Sequence, residues 1–238
     1  MPRPCVYCGA TQNLSREHVI NDSIRTLLYG VDPEYVSSDN REDRERPNHV
    51  HYLRDVCTNC NNAVLQPYDN AAKEFWEVAL TWQRGMRLTL PFNAKTYGWF
   101  VKTHCNMFRL VRDTQHYDVD PCIYEALFEH NPIPWLKLAL TIDLFLEDRK
   151  PYETESYGPS QIAQMIDVAP RPYNLIRSHL RVGHWETFCY FPQDYRYDNF
   201  IPRVSQYAAE VQSRGGRLML WHIPTLIENG SFTLEAEP

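Results

Sequence analysis

A chain of 238 residues with 43% hydrophobic and 23% charged residues has the balance of a globular protein with a substantial core, not of a disordered segment. Its formal net charge of −6 excludes a uniformly basic, phosphate-neutralising surface. No apolar run approaches the roughly 18 residues of a membrane-spanning helix, and the N-terminal Met-Pro-Arg-Pro-Cys carries no signal-peptide core, so a cytoplasmic protein with no membrane partner is expected.

Charge is unevenly spread. Residues 71–113 carry Lys73, Arg84, Arg87, Lys95, Lys102, Arg109 and Arg112 against Glu74, Glu77 and Asp113, a local surplus of +4, whereas residues 1–70 sum to −3 and residues 114–238 to −7. Any face that meets a polyanion is therefore expected near the N-terminal segment and the helices just after it. Seven cysteines, an odd number in a chain expected to be intracellular, argue against a disulfide framework. Cys105, Cys122 and Cys189 lie singly among apolar residues and read as buried thiols.

In chain order, residues 3–9 read as a tight CxxC turn closed by Gly9. Residues 15–20, Ser-Arg-Glu-His-Val-Ile, suit the first strand of a hairpin, and Asn21-Asp22-Ser23 offers capping groups for a short helix through Leu28, ended by Gly30. The polar, mixed-charge run 37–47 reads as a solvated loop. Residues 48–56 suit a strand, with His49 and His51 alternating on it. From Asn61 to Arg84 helical spacing takes over, Pro67 marking a break or a new first turn, and a further helix is expected over 94–111.

Beyond residue 114 the pattern is α+β. Helices are expected over 123–128, 160–168 and 204–214, strands over 184–191 and 217–223, and either a buried strand or an apolar helix over 135–145. A turn is expected at 228–231.

Two CxxC pairs, Cys5/Cys8 and Cys57/Cys60, can set four thiolates around one ion, and four soft ligands in a tetrahedron favour zinc. The 48 residues between Cys8 and Cys57 make the metal a staple between distant segments. A closed four-cysteine site leaves no position for water, so this zinc is expected to be structural. Between the pairs lies Glu17-His18-Val19-Ile20, and Asn61-Asn62 follows the second pair directly. Histidine is the side chain that titrates near neutrality, which suits it to acid–base work. Glu17 and Asn61 both carry side-chain oxygens, the donor atoms that hard divalent cations take.

The pattern CxxC, Arg-Glu-His-Val-Ile, CxxC-Asn-Asn resembles the zinc-bearing branch of the HNH (ββα-metal, His-Me finger) endonucleases. The resemblance implies an α+β fold, with a zinc-stapled ββα-metal module at 1–70 and helices followed by a mixed α+β region at 71–238. It also implies a hydrolase that cuts or nicks DNA, with His18 as general base, Glu17 and Asn61 as ligands of a catalytic Mg²⁺ or Mn²⁺ ion, and Asn62 as the rival of Asn61. Asn48 is the nearest match to the asparagine that braces the base-bearing loop. Trp99-Phe100-Val101-Lys102-Thr103 is similar to a later helix of such proteins and is expected to pack against the module. The chain departs from the pattern at Asn21, where relatives commonly have Pro. It departs again at Ala63-Val64-Leu65-Gln66, where a phosphate-contacting Lys is missing.

The resemblance also suggests a setting in phage defence, restriction or mobile elements, with DNA as partner and a protein partner or homodimer for double-strand cutting. A zinc-binding scaffold or nucleic-acid-binding protein without catalysis is the alternative, favoured by the acidic balance. A zinc hydrolase acting on a small substrate is disfavoured, since no HExxH motif is present.

Overall fold

A computed structural model of the chain describes residues 3–29, 52–82, 86–115, 119–131, 139–144, 166–168, 175–182, 185–192 and 229–234, with isolated positions between 202 and 209. The elements are β1 (Leu14–His18), α1 (Asp22–Tyr29), β2 (Tyr52–Cys57), a π-helical turn (Cys60–Val64), α2 (Gln66–Ala79), β3 (Leu88–Pro91), α3 (Ala94–Gln115) and α4 (Pro121–Phe128), then β4 (Ala139–Leu144), β5 (Ile166–Val168), β6 (Leu175–Val182), β7 (Trp185–Pro192) and β8 (Ser231–Leu234). The chain is mixed α and β, with small antiparallel sheets.

β1 and β2 pair antiparallel, and the register slips between Ser15 and Glu17. Ser15 faces Val56 and Glu17 faces Leu53, so Arg16 alone stands opposite Arg54 and Asp55. That bulge breaks the two-residue alternation of β2 and turns both Asp55 and Val56 into the interior. A strand, a short helix, a second strand and a longer helix (β1, α1, β2 and α2) stand in the order expected from the sequence. Pro67 falls in the first turn of α2, where its missing N–H leaves no helical bond unmade.

α2 runs through residue 70 and packs its Phe75 and Trp76 against Phe92, Trp99 and Phe100 in mostly edge-to-face contacts. One continuous core extends from Cys5 through this aromatic centre to Cys189 and Phe191. The long α3 is the spine of that core. Every residue from Thr96 to Arg109 is buried, so all faces of that stretch are covered. At its far side stands a four-stranded sheet in the order β4-β7-β6-β5, antiparallel throughout.

Two expectations change. Ile166–Val168 is a strand rather than the end of a helix: Ile166 and Val168 flank Asp167 in the alternation that a ladder with β6 accepts. The ambiguous apolar stretch resolves as strand β4 over Ala139–Leu144. β3, β6 and β8 had no counterpart in the expected elements. The loop 37–47, residues 160–165, the strand over 217–223, Gly30, and Asn48, His49 and His51 lie outside the described residues.

Candidate functional site

The first CxxC folds as a knuckle because its backbone bonds to itself. Cys5 N–H donates to Ala10 O at 2.7 Å, and Gly9 N–H donates to Cys5 O at 2.8 Å. Gly9 sits at φ +74°, a left-handed conformation that a side chain would strain. Val6 N–H donates to Asp55 O at 2.9 Å and ties the knuckle to β2. The second pair spans the end of β2 and the start of the π-turn, with Cys60 N–H donating to Cys57 Sγ at 3.5 Å.

The four sulfurs of Cys5, Cys8, Cys57 and Cys60 lie within 4.8 Å of one another, and Cys8 Sγ is 3.6 Å from Cys57 Sγ. A tetrahedral zinc with bonds of about 2.3 Å requires sulfurs roughly 3.8 Å apart, so the thiols stand near ligating distance. Among the described residues this is the group of His, Cys, Asp and Glu that could hold a metal ion. Its electrostatics fit a cation. Burial alone would raise Cys57, but hydrogen bonds from Cys60 and the neighbouring thiols bring it down to about 7. Burial and the same neighbours push Cys60 far above the ordinary thiol range. One thiolate forms readily and further ones are resisted, until a divalent ion supplies the missing positive charge.

β1 carries Glu17 and His18 to opposite faces. The His18 side chain is 32% exposed, with Nδ1 3.8 Å from Asp22 Oδ2 on the first turn of α1. Glu17 turns inward, its side chain 3% exposed, and Oε1 accepts from Lys102 Nζ at 2.9 Å and from Asn106 Nδ2 at 3.3 Å. Asn61 clamps the strand from outside: its Nδ2 donates to Ser15 Oγ at 3.1 Å and to Arg16 O at 2.9 Å. Asn62, next to it, is exposed. The structure thus joins Asn61 to the backbone just before Glu17-His18, while Asn48 lies outside the described residues.

Several residues of consequence were missed from the sequence. Lys102 Nζ also donates to Asp69 Oδ1 at 2.6 Å, and Arg109 pairs with Asp55 while donating to Asn106 Oδ1 at 2.7 Å. Burial would lower the Lys102 ammonium, but the Glu17 and Asp69 carboxylates outweigh it and hold the charge. Burial raises Asp69 against the opposing pull of Lys102. On the sheet side, His104 Nδ1 lies 2.9 Å from Ser178 Oγ and Nε2 3.2 Å from Thr187 Oγ1, fully buried. A signal for the first set existed: Lys102, Asn106 and Arg109 lie at helical spacing among the apolar residues Trp99, Phe100, Val101, Met107 and Phe108, and buried charges demand partners.

No helix among the described residues is long and apolar enough to cross a membrane. Comparison with protein-family models, curated proteins and solved structures yields no match.

Proposed function

We propose that the chain is an HNH-type endonuclease that hydrolyses phosphodiester bonds in DNA, with His18 as general base and a structural zinc ion at Cys5, Cys8, Cys57 and Cys60. The observation that supports this most is the hold on His18. The Asn61 amide donates to Ser15 Oγ and Arg16 O, three and two residues before an imidazole that remains one-third exposed and next to Asp22. An accessible imidazole on a braced backbone is what proton abstraction from water needs. The base takes that proton, and the water oxygen is then free to attack phosphorus.

A hard divalent ion would stabilise the leaving oxygen in such a reaction. As arranged, Glu17 does not fit an open ligand position, because its carboxylate is enclosed by Lys102 and Asn106. No step is therefore routed through that ion, and Glu17 is assigned to hold β1. The same enclosure favours a second reading, a zinc-stapled nucleic-acid-binding scaffold without catalysis.

Plasmid cleavage by the zinc-loaded wild type and by His18→Ala separates the two, with Mg²⁺ or Mn²⁺ added and with both left out. Loss of a general base lowers the rate about 10²–10⁴-fold. Divalent-dependent cleavage that disappears with His18→Ala supports the nuclease. Zinc-loaded protein that binds DNA and never cuts it supports the scaffold, and cleavage that survives the substitution removes His18 from the mechanism.

A further inference from the structure

α3 presents a polar stripe at i, i+4 and i+7, Lys102, Asn106 and Arg109, to three carboxylates on three different elements. Lys102 meets Glu17 of β1 and Asp69 of α2, Asn106 meets Glu17, and Arg109 meets Asn106 and Asp55 of β2. All three stripe residues are nearly solvent-free, Lys102 at 1%. Isolated charges in such a place carry a large desolvation cost, so each must find a defined partner or the element moves. The stripe therefore fixes where the hairpin and α2 sit relative to α3.

Lys102 is the centre of that arrangement. Its Nζ holds carboxylates from both sides, 2.9 Å to Glu17 and 2.6 Å to Asp69. Consecutive strand residues point to opposite faces, so a side chain locked at Glu17 fixes the direction of His18. The Asn61 clamp secures the backbone just before this pair, and the Lys102 contact secures the rotation of the pair itself. A hydrophobic residue at 102 would fill the space but leave Glu17 with only the Asn106 amide to hold it.

We infer that Lys102 is a positioning residue for His18, acting through Glu17 and Asp69 across the α3–hairpin boundary. The kinetic consequence rests on the nuclease reading above; the geometric one does not. A site completed from α3 also means that the stapled N-terminal segment is not the whole catalytic unit, since one of its determinants lies 85 positions along the chain from Glu17.

The test uses the full, zinc-loaded chain with Lys102→Met, and with Glu17→Gln/Lys102→Met as the variant that removes both charges and leaves less uncompensated anion in the interior. Two readouts are taken on folded protein: kcat and KM for cleavage, and the ring ¹H–¹⁵N signals of His18. The expected result is a kcat lower by about 10²-fold with KM within about twofold, since misplacement by about 1 Å costs that much, and more than one set of His18 ring signals where the wild type has one. Folded variants with wild-type kcat and a single, unshifted His18 signal overturn the inference. If Lys102→Met does not fold, the double variant decides by the same criteria. If the wild type does not cleave, the nuclease reading fails, and the ring signals alone decide the role of Lys102.

Discussion

Gly98 lies one turn before Lys102 on α3, where that helix crosses α2 at close range. A Cβ at this position would come to 2.3 Å from Tyr68 Cε1 and 2.6 Å from Cδ1. Tyr68 cannot simply swing away, because it is buried and its hydroxyl donates to Leu127 O at 2.9 Å. Gly98→Ala gains about 1 kcal/mol of helix propensity. Against this stand overpacking of about 1–3 kcal/mol and a buried hydrogen bond, about 1 kcal/mol with its carbonyl left stranded. The net expectation is destabilisation of about 1–3 kcal/mol, a fall in Tm of roughly 2–12 °C for a chain of this size. Urea and thermal unfolding of Gly98→Ala, Tyr68→Ala and the double variant measure it. If the clash is the cause, Gly98→Ala becomes neutral or stabilising once Tyr68 is truncated. A Gly98→Ala protein as stable as the wild type in the presence of Tyr68 would refute the close-approach argument. The same substitution should stretch the Lys102–Asp69 contact, now 2.6 Å, because both partners sit one turn or less from the obstruction.

Zinc uptake by the metal-free chain, followed at pH 8 with a pH indicator, should release about two or more protons per ion. Cys8 and Cys60 keep their protons above the ordinary thiol range while Cys57, at about 7, has largely lost its own. Release of none would mean that the thiols are not the ligands. For Cys57 alone the folded value lies below the ordinary one, so its contribution to metal-free stability is present above about 9 and fades as pH falls through about 7. On the opposite side of α3, His104→Leu should leave Ser178 and Thr187 to weaker acceptors, Met107 Sδ at 3.7 Å and Leu180 O at 3.4 Å. A loss of about 1–3 kcal/mol in urea unfolding is expected with zinc content unchanged; an unchanged midpoint would show that the buried imidazole contributes nothing to holding the sheet.

What the sequence disclosed depended on whether the signal was local. The two CxxC knuckles, the helix restart at Pro67 and the helical run from Ala94 are written in spacings of a few residues, and each appears where those spacings put it. Lys102 was visible as part of a basic stretch and of a helix expected to pack against the module, but nothing near it in sequence names Glu17 or Asp69 as partners. Glu17 itself was legible as an acid beside a histidine, a pattern shared by a metal ligand and a buried ion-pair partner. The bulge at Arg16 decides which of Arg54 and Asp55 faces inward, and a two-residue alternation cannot foresee it. Ile166–Val168 is too short for periodicity to separate helix from strand, so the β6 ladder decided it.

The pairing of β3 with β8 sets a timetable for the chain's birth. Thr89 Oγ1 and Thr233 Oγ1 stand 2.9 Å apart across the ladder, yet 144 positions separate them in sequence. At translation rates of about 5–20 residues per second, β3 waits roughly 7–30 s for its partner to be made. Throughout that interval Leu88 and Leu90, buried in the finished protein, lack the strand that covers their edge. An unpaired apolar edge of this kind is an opening for intermolecular pairing. Exposed Thr89, alternating with the leucines, and Pro91 at the end of the strand blunt it, and yields of this protein should depend on how fast, and how cold, it is synthesised.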